Sequence, residues 1–256
     1  MRTFFETVAA AFSMFSALPA PHVEWNEKNT RWLLAAFPLV GLVVGLVCWG
    51  WVWLCGVLAF PELLRGAGLC LLPVLITGGI HLDGYADTHD ALASHASAEK
   101  KREILKDPHL GAFAAIRLCI YFIAGLALWS ALPEYDGPLF LMAFCLSRVM
   151  SGLAIASFPL AKGTGLASSF AAAADKKRLK ILLMVCALLL SGGMCLRGFY
   201  GAAAVLAAWA VFLKYRHMAK TRFGGLSGDL AGWFLQTAEL WMTGTVCITQ
   251  YLEAAL

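Results

Sequence analysis

The sequence predicts an all-α fold: a polytopic integral membrane bundle of about seven transmembrane helices with a short apolar helix at the N-terminus. The first reason is composition. Of the 256 residues, 60% are hydrophobic and 14% are charged, whereas soluble domains average roughly 45–50% apolar and about 25% charged residues. The second reason is that apolar stretches of spanning length recur from end to end. We therefore predict one membrane-embedded domain over residues 1–256, with the lipid bilayer as its surroundings.

Seven stretches are predicted to cross the membrane, because a crossing takes about 20 apolar residues. In chain order they are residues 32–60, 63–80, 110–132, 138–158, 181–196, 199–213 and 230–250. The helix of the second stretch either ends with that stretch or continues through the acidic segment that follows it, residues 81–90. An eighth apolar helix over residues 4–18 is short, and it either crosses or lies in the membrane interface.

The loops between these stretches alternate in charge. Most Lys and Arg residues lie in four loops, with 2 in 20–31, 4 in 91–109, 5 in 160–180 and 4 in 214–229. The other loops hold only Arg65 and Arg197. The positive-inside rule places the first set in the cytoplasm, and seven spans then leave the C-terminus outside. The net charge of +4 is mild and no dense basic tract is present, so no nucleic-acid partner is expected.

The most informative segment runs from His81 to Asp90, after the second stretch. At about 100° per residue, Asp83, Asp87 and Asp90 share one narrow helix face. Three such charges repel one another unless a cation lies among them, and oxygen ligands favour Mg²⁺. We therefore predict a Mg²⁺ site formed by these aspartates, the alternative being helix-end acids solvated by headgroup water. His81 and His89 project elsewhere, where hydrogen-bonding roles are expected.

A second polar segment is predicted to end a short cytoplasmic helix ahead of the third span. Pro108 disfavours helical backbone at Asp107, so this carboxylate should sit in a turn at the membrane surface. The neighbouring Lys106 can meet a phosphate there. We interpret Lys106 as substrate-binding and Asp107 as catalytic, and the alternative is a charged, solvated loop.

A glycine-rich loop after the fourth span supplies a third group of candidates. Lys162, with Gly163 and Gly165 beside it, can surround an anion with backbone N–H groups. The Walker A pattern of P-loop enzymes is absent from this loop. We predict a phosphate-binding role for these three residues.

A second glycine-rich loop precedes the last span. Gly225 permits close approach of a ligand to the backbone, and Ser227 adds a hydroxyl. The last span carries a polar stripe made of Asp229, Gln236, Glu239 and Thr243. Such a stripe must face the bundle interior or a wet cavity. We assign Gly225, Ser227, Asp229 and Glu239 to substrate binding, although hydrogen bonds between helices also explain Gln236 and Thr243.

Two arginines, Arg117 and Arg148, lie within predicted spans. A guanidinium is costly against lipid, so each should find an anion. Arg148 shares a helix face with Ser151 towards the cytoplasmic half. It either pairs with the acids as part of the structure or holds phosphate, and both interpretations stay open. Arg148 is therefore kept among the phosphate-binding candidates.

Together these residues are the components of phosphoryl transfer. In such reactions a metal neutralises phosphate oxygens, cations hold the remaining charge, and a carboxylate accepts the proton of an attacking hydroxyl. No Cys/His or Ser/His pair stands out as a covalent nucleophile. We therefore expect direct displacement by an alcohol group of a substrate.

Several segments resemble the signatures of a known family. HLDGYADTHD at 81–90, EILKDPHLG at 103–111, GGLSGD at 224–229 and FPLVGL at 37–42 are similar to segments of cobalamin synthase, also called adenosylcobinamide-GDP ribazoletransferase. The resemblance implies that adenosylcobinamide-GDP is joined to α-ribazole or its 5′-phosphate with release of GMP. It also implies Mg²⁺ dependence and the inner membrane of a prokaryote. The oligomeric state stays open, and a homo-oligomer is one alternative.

The resemblance also implies roles for individual acids. Asp83 and Asp87 match the motif's acids and inherit the metal role. Asp90, Asp107 and Asp229 match acid positions as well, and we expect Asp90 to be the general base because it is nearest the loop side. His89 stands where the family has a small residue, which leaves its role undecided.

Two other functions would use some of the same residues. A CDP-alcohol phosphotransferase would use the same metal chemistry, but Ile80 occupies the position of that family's first acid and no Ala-Arg pair follows. A cation or proton transporter would line a path with Glu239, Asp83 and Asp87. The acids instead cluster at one membrane side, and no inverted repeat is visible.

Overall fold

The computed structural model describes residues 2–161 and 175–255, and every element of regular secondary structure in these residues is a helix. The helices are α1 Arg2–Phe15, α2 Glu27–Thr30, α3 Leu33–Val57, α4 Glu62–Thr77, α5 Ile80–Ala93, α6 Ala98–Ile104, α7 Ala112–Ala131, α8 Gly137–Ser157, α9 Lys176–Cys195, α10 Phe199–Phe223 and α11 Gly228–Ala255. The predicted all-α class of a polytopic membrane protein is confirmed.

Each of the seven predicted stretches contains a long helix, but the helices differ in how well they suit a bilayer. In the described residues, α3, α7, α8 and α9 are long and apolar enough to cross a membrane. The pair α4 and α5 adds a fifth crossing if it counts as one broken span. Helices α10 and α11 have 25 and 28 residues and are less apolar. Their crossing, and hence the count of seven, stays a prediction.

The chain turns sharply between α4 and α5. Gly78 and Gly79 have φ angles of 64° and 78°, a left-handed conformation that costs glycine little. The two helices meet at 96°. The possibility that one helix runs on through the acidic segment is therefore wrong, because two consecutive left-handed residues end α4. The turn lays α5 against α7 and α11.

Helix α8 forms the centre of the bundle. Most of its residues are buried, and it packs against α3, α9 and α11. Glycines let α3 approach closely: a Cβ at Gly45 would lie 2.8 Å from the Cα of Leu141, and one at Gly41 would overlap the carbonyl oxygen of Phe144. Small residues at such contacts are typical of helix packing within membranes.

The outward faces of the long helices are apolar. Leucine and isoleucine side chains that are more than half exposed include Ile123, Leu188, Leu189, Leu206 and Leu213. A soluble protein rarely exposes contiguous apolar surface of this extent. These faces are suited to contact with lipid chains.

Helix α1 is shorter than a bilayer crossing. Its 14 residues extend about 21 Å at 1.5 Å per residue, whereas the hydrocarbon core is about 30 Å thick. Ala10 and Ala11 are buried against the bundle, and α1 packs on α3. The backbone N–H of Ala17 donates to the carbonyl of Ile76 (2.8 Å), so the chain after α1 is fixed beside the end of α4.

One end of the bundle holds both the basic loops and the aspartates of α5. We call it the acidic end, after these aspartates. It comprises α5, α6 and the segments 105–111, 158–161 and 224–229. Arg102 of α6 donates to the carbonyl of Phe223 at the end of α10 (2.7 Å), and Arg31 pairs with Asp175 (2.9 Å). The basic loops therefore share one end of the molecule, as the charge pattern predicts.

The opposite end is joined by its own contacts. Asp136, before α8, accepts hydrogen bonds from Arg197 (2.7 Å) and Tyr200 (3.1 Å) near the start of α10. Gln250, near the end of α11, donates to the carbonyl of Glu134 (3.1 Å). The last helix therefore ends on the side of the bundle away from the acidic end.

Candidate active site

The acidic segment forms α5 and brings its three aspartates to the acidic end. Asp83 is exposed, whereas Asp87 and Asp90 are partly buried. Asp87 lies within electrostatic reach of Asp83 and Asp90, and also of Asp229 at the start of α11. We call these four side chains the acidic patch. The fourth carboxylate comes from a segment 139 residues further along the chain than Asp90 (229 − 90).

The patch depends on direct contact between the backbones of α5 and α11. A Cβ at Gly84 would lie 2.6 Å from the carbonyl oxygen of Asp229 and 2.8 Å from its Cα. Likewise, a Cβ at Gly232 would lie 2.7 Å from the carbonyl oxygen of His81. Neither position has room for a side chain. The two glycines therefore set the distance at which Asp229 meets the α5 carboxylates.

The donor set of the patch suits Mg²⁺, although it is not a closed cage. Within residues 2–161 and 175–255, no three acidic, histidine or cysteine side chains converge on one coordination position. None of the four carboxylates forms an ion pair with a described side chain. Mg²⁺ commonly binds through one or two carboxylates, several waters and substrate phosphates. Carboxylates without a cation partner fit that mode of binding.

Asp90 is held against the loop that leads into α7. A Cβ on Gly111 would overlap the Asp90 carboxylate, so a larger residue there would have to displace this side chain from its position. This contact brings the segment 105–111 beside the acidic patch. Asp90, the predicted general base, is thus partly buried at the point where α5 meets the start of α7.

Asp107 sits in the predicted turn, but it faces solvent. Its side chain is 55% exposed, and Oδ1 accepts hydrogen bonds from the backbone N–H of His109 (3.0 Å) and from its Nδ1 (2.7 Å). These two donors lower the pKa of Asp107 below its ordinary value, the backbone bond having the larger effect. Lys106 is also exposed. Among the described contacts, none joins Asp107 to the acidic patch.

The second glycine-rich loop contacts the described start of the first, residues 159–161, at the acidic end. Leu226 pairs with the segment after α8: its N–H donates to Pro159 (2.9 Å) and its carbonyl accepts from Ala161 (3.0 Å). A Cβ on Gly225 would overlap this neighbouring backbone, so its glycine serves chain packing. Lys162, Gly163 and Gly165 lie outside the described residues.

Ser227 has a local role at the start of α11. Its Oγ accepts from the N–H of Leu230 (3.3 Å) and donates to Asp229 Oδ2 (3.4 Å). The first bond satisfies a backbone donor of the first helical turn, as N-cap residues do. The second orients the Asp229 carboxylate within the patch. A direct contact of Ser227 with phosphate stays a prediction.

Arg148 and Glu239 form an ion pair inside the bundle. Nη1 of Arg148 contacts Glu239 Oε1, and the Ser147 hydroxyl donates to the same oxygen (2.7 Å). Arg148 is 1% exposed and Glu239 is 8% exposed. The polar stripe of the last span faces the interior as predicted, and Glu239 neutralises the guanidinium. The pairing favours the structural interpretation of Arg148, and phosphate binding by either residue stays a prediction.

His89 is engaged away from the acidic patch. Trp233 Nε1 lies 3.2 Å from His89 Nε2. The indole N–H can only donate, so Nε2 of His89 is the acceptor. Its lone pair is then used in this bond and is not available to a metal. This hydrogen bond gives His89 a structural role between α5 and α11.

A cavity of about 280 Å³ opens beside the acidic patch, between α1, α3, α5, α8 and α11. Asp83 and Asp229 line it, together with Phe15, Phe37, His81 and Ser151. The cavity therefore adjoins the carboxylates that would hold a metal. A substrate bound in it would reach the patch directly.

Comparison with known proteins assigns this arrangement to a family. The model of the cobalamin-5-phosphate synthase family matches residues 7–247. The chain belongs to this family. The matched range includes all of α5, the segment 105–111 and the start of α11, and so it covers the acidic patch and the cavity.

Relatives share most of their length with the chain. It is similar to the adenosylcobinamide-GDP ribazoletransferase of Lachnoclostridium phytofermentans, at 40% identity over 90% of this chain and 88% of the relative. Proteins of the same name from Clostridium botulinum and Geobacillus thermodenitrificans are 31% and 29% identical. Those matches cover 97% and 96% of this chain, and 99% and 97% of the relatives. No solved structure matches the chain.

The sequence did not predict that aromatic side chains from separate helices line the cavity. Phe15 lies in α1 and Phe37 in α3, and both rings stand close to His81 of α5. Nothing in the local pattern of any one helix indicates that these three meet. The only hint is FPLVGL at 37–42, one of the segments that resemble the family.

Proposed function

We propose that the protein is an adenosylcobinamide-GDP ribazoletransferase, a transferase of cobalamin assembly. It would join adenosylcobinamide-GDP to α-ribazole or α-ribazole 5′-phosphate and release GMP. Family membership and the names of the relatives support the transferase. The observation that carries the chemistry is the acidic patch, in which Asp83, Asp87, Asp90 and Asp229 lie together without a cation partner in the described structure.

The reaction we propose is one displacement at phosphorus. A ribose hydroxyl of the nucleoside attacks the phosphorus on the cobinamide side of the pyrophosphate. A new oxygen–phosphorus bond forms, the bond to the bridging oxygen breaks, and GMP leaves with the electron pair. The hydroxyl proton passes to a carboxylate. Mg²⁺ held by Asp83 and Asp87 would supply positive charge to the pyrophosphate oxygens. In this scheme Asp229 takes the place of Asp90, the third predicted ligand, because Asp90 serves as the base.

Asp90 is better placed than Asp107 to accept the proton. Asp90 is partly buried in the patch, whereas Asp107 is exposed and bonded to His109. The lowered pKa of Asp107 also makes it a weaker base. Of our two catalytic candidates, we therefore propose Asp90 as the general base. Asp107 instead shapes the turn.

Cations at the acidic end would bind the remaining phosphate charge. Lys106 is exposed on the segment that Gly111 brings to Asp90. Lys162 directly follows Ala161, which is bonded to Leu226. Lys106 therefore branches from a chain segment beside the patch, which supports its predicted role, and the role of Lys162 rests on its place in the sequence. We place this end at the cytoplasmic face of the inner membrane, because the basic loops gather there.

One assay tests the proposal. The protein is purified in detergent and incubated with adenosylcobinamide-GDP, with or without α-ribazole and Mg²⁺, and released GMP is measured. We expect GMP only when both are present, together with a corrinoid product that contains the nucleoside. GMP release that does not depend on α-ribazole would contradict the proposal. Full turnover after a chelator has removed divalent ions would contradict it as well. Ion flux in proteoliposomes without GMP release would favour a transporter.

A further inference from the structure

The cavity beside the acidic patch has two chemically different parts. Phe15, Phe37 and His81 form a wall of aromatic rings. The centroids of Phe15 and Phe37 are 4.2 Å apart, and those of Phe37 and His81 are 5.5 Å apart. Asp83 and Asp229 line the same space. A ligand that fills the cavity therefore meets both aromatic surface and carboxylates.

Two polar side chains interrupt the apolar lining. His81 is 7% exposed, and its Nε2 has no hydrogen-bond partner in the described structure. An unpaired buried nitrogen of this kind costs free energy. Ser151 of α8 is 2% exposed and brings a hydroxyl to the same cavity. Apart from the two carboxylates, the cavity can thus satisfy one or two hydrogen bonds of a flat ligand.

We propose that this cavity binds the planar base of the acceptor nucleoside and presents its ribose hydroxyl to the acidic patch. The inference rests on the proposed function and adds the position of one substrate. A benzimidazole base is flat and mostly apolar, and it has one free ring nitrogen that accepts a hydrogen bond. The imidazole of His81 or the hydroxyl of Ser151 can donate it. The ribose, attached at the other side of the base, then lies towards Asp83 and Asp229.

The other substrate does not suit the cavity. About 280 Å³ lies just below the usual range of roughly 300–1,000 Å³ for ligand pockets. It is too small for a corrin macrocycle, which must remain outside. The guanine of adenosylcobinamide-GDP is flat, but it carries several donors and acceptors. Most of these would be left unpaired among Phe15, Phe37 and Ile155, and such unpaired groups reject a ligand strongly.

Two variants test the cavity without touching the carboxylates. Ala231→Leu fills the space, because Ala231 lines it. His81→Phe keeps a ring beside Phe37 and removes the nitrogen. Each should raise the KM for α-ribazole at least about tenfold, the equivalent of about 1.4 kcal/mol. Each should change the KM for adenosylcobinamide-GDP less than about twofold. Phe140→Ala controls for a general loss of core packing, because Phe140 is buried but does not line the cavity and packs on Trp129 and Tyr135.

Direct binding separates this inference from the proposed function. Calorimetric titration of α-ribazole into the detergent-purified protein should give a Kd that Ala231→Leu weakens and Phe140→Ala leaves unchanged. If the wild-type protein releases GMP but both cavity variants keep the wild-type KM and Kd for α-ribazole, the cavity assignment is overturned and the function stands. A raised KM for adenosylcobinamide-GDP alone would also overturn it. A wild-type protein that binds α-ribazole in the cavity without GMP release would overturn only the reaction.

Discussion

At the scale of single residues, the carboxylates of α5 carry the first prediction. Asp83→Asn or Asp87→Asn removes a charged metal ligand and keeps the side chain's shape. Turnover should fall more than about a hundredfold, because even residues that only support metal ligands contribute 10–100-fold. Steady-state GMP release at several Mg²⁺ concentrations measures the effect, and partial rescue by high Mg²⁺ is expected for a weakened site.

Glu99→Gln provides the control for these variants. Glu99 also lies at the acidic end, and its side chain is 73% exposed. It should retain wild-type turnover with the same Mg²⁺ dependence. Wild-type activity in both aspartate variants would remove the acidic patch from the mechanism.

The choice between Asp90 and Asp107 as base is a second residue-scale prediction. Asp90→Asn should lower kcat by about 10²–10⁴-fold, the usual contribution of a general base. Asp107→Asn should lower kcat less than about tenfold, because this carboxylate is exposed and has no contact with the acidic patch in the described structure. Hydrogen bonds from His109 lower the pKa of Asp107, so this carboxylate stays ionised to lower pH than an ordinary aspartate and is a weaker base. The kcat values of both variants for GMP release decide the matter.

A kcat near the wild-type value in Asp90→Asn, together with a large loss of kcat in Asp107→Asn, would reverse the assignment. The carboxylate that takes the proton would then lie in the exposed turn rather than in the patch.

At the scale of helices, the contact of α5 with α11 places the acids. Gly84→Ala adds a methyl group where the backbone of Asp229 lies 2.6 Å away. The helices must separate, and a displacement of about 1 Å can cost a hundredfold in rate. Gly50→Ala is the matched control, because a Cβ at this helical glycine meets nothing within 4 Å. GMP release by the two variants, each checked for monodispersity in detergent, should differ by at least about tenfold. Equal activity would mean that the contact does not position the patch.

The ion pair between α8 and α11 gives another prediction at this scale. Arg148→Met or Glu239→Leu alone leaves one buried charge unpaired and should destabilise the fold by about 3–5 kcal/mol. The double variant removes both charges and should recover most of that loss. Equilibrium unfolding in mixed micelles measures the free energies. A stable double variant with a raised KM for adenosylcobinamide-GDP would return Arg148 to the phosphate site.

The sequence predicts those elements that depend on residues close together in the chain. Hydropathy is such a local property, so α3, α7, α8 and α9 are recognisable as long apolar helices. The turn at Gly78 depends on two consecutive glycines, which the apolar run conceals. The spacing of Asp83, Asp87 and Asp90 on one face is likewise local. The pairing of Arg148 with Glu239, and the meeting of α1, α3 and α5 around the cavity, depend on contacts between distant segments.

At the scale of the whole molecule, charge distribution and helix ends agree on orientation. Basic residues such as Arg31 and Arg102 lie at the acidic end, where they join neighbouring segments. The C-terminal helix ends on the opposite side, where Gln250 bonds to Glu134 and Tyr251 donates to the carbonyl of Ala131 (2.8 Å). The positive-inside rule then predicts that the acidic end lies in the cytoplasm and the C-terminus outside.

Reporter fusions test this orientation in bacterial cells. Alkaline phosphatase, which folds only outside the cytoplasm, should be active when fused after Leu256 and inactive when fused at His95, in the loop between α5 and α6. A fluorescent protein that folds only in the cytoplasm should give the reverse result. The proposed function requires the same orientation, because the proposed substrate, adenosylcobinamide-GDP, is a charged nucleotide conjugate that cannot cross the bilayer unaided. Phosphatase activity at His95 would place the acidic patch outside the cytoplasm, and the protein could then meet its substrates only after their export.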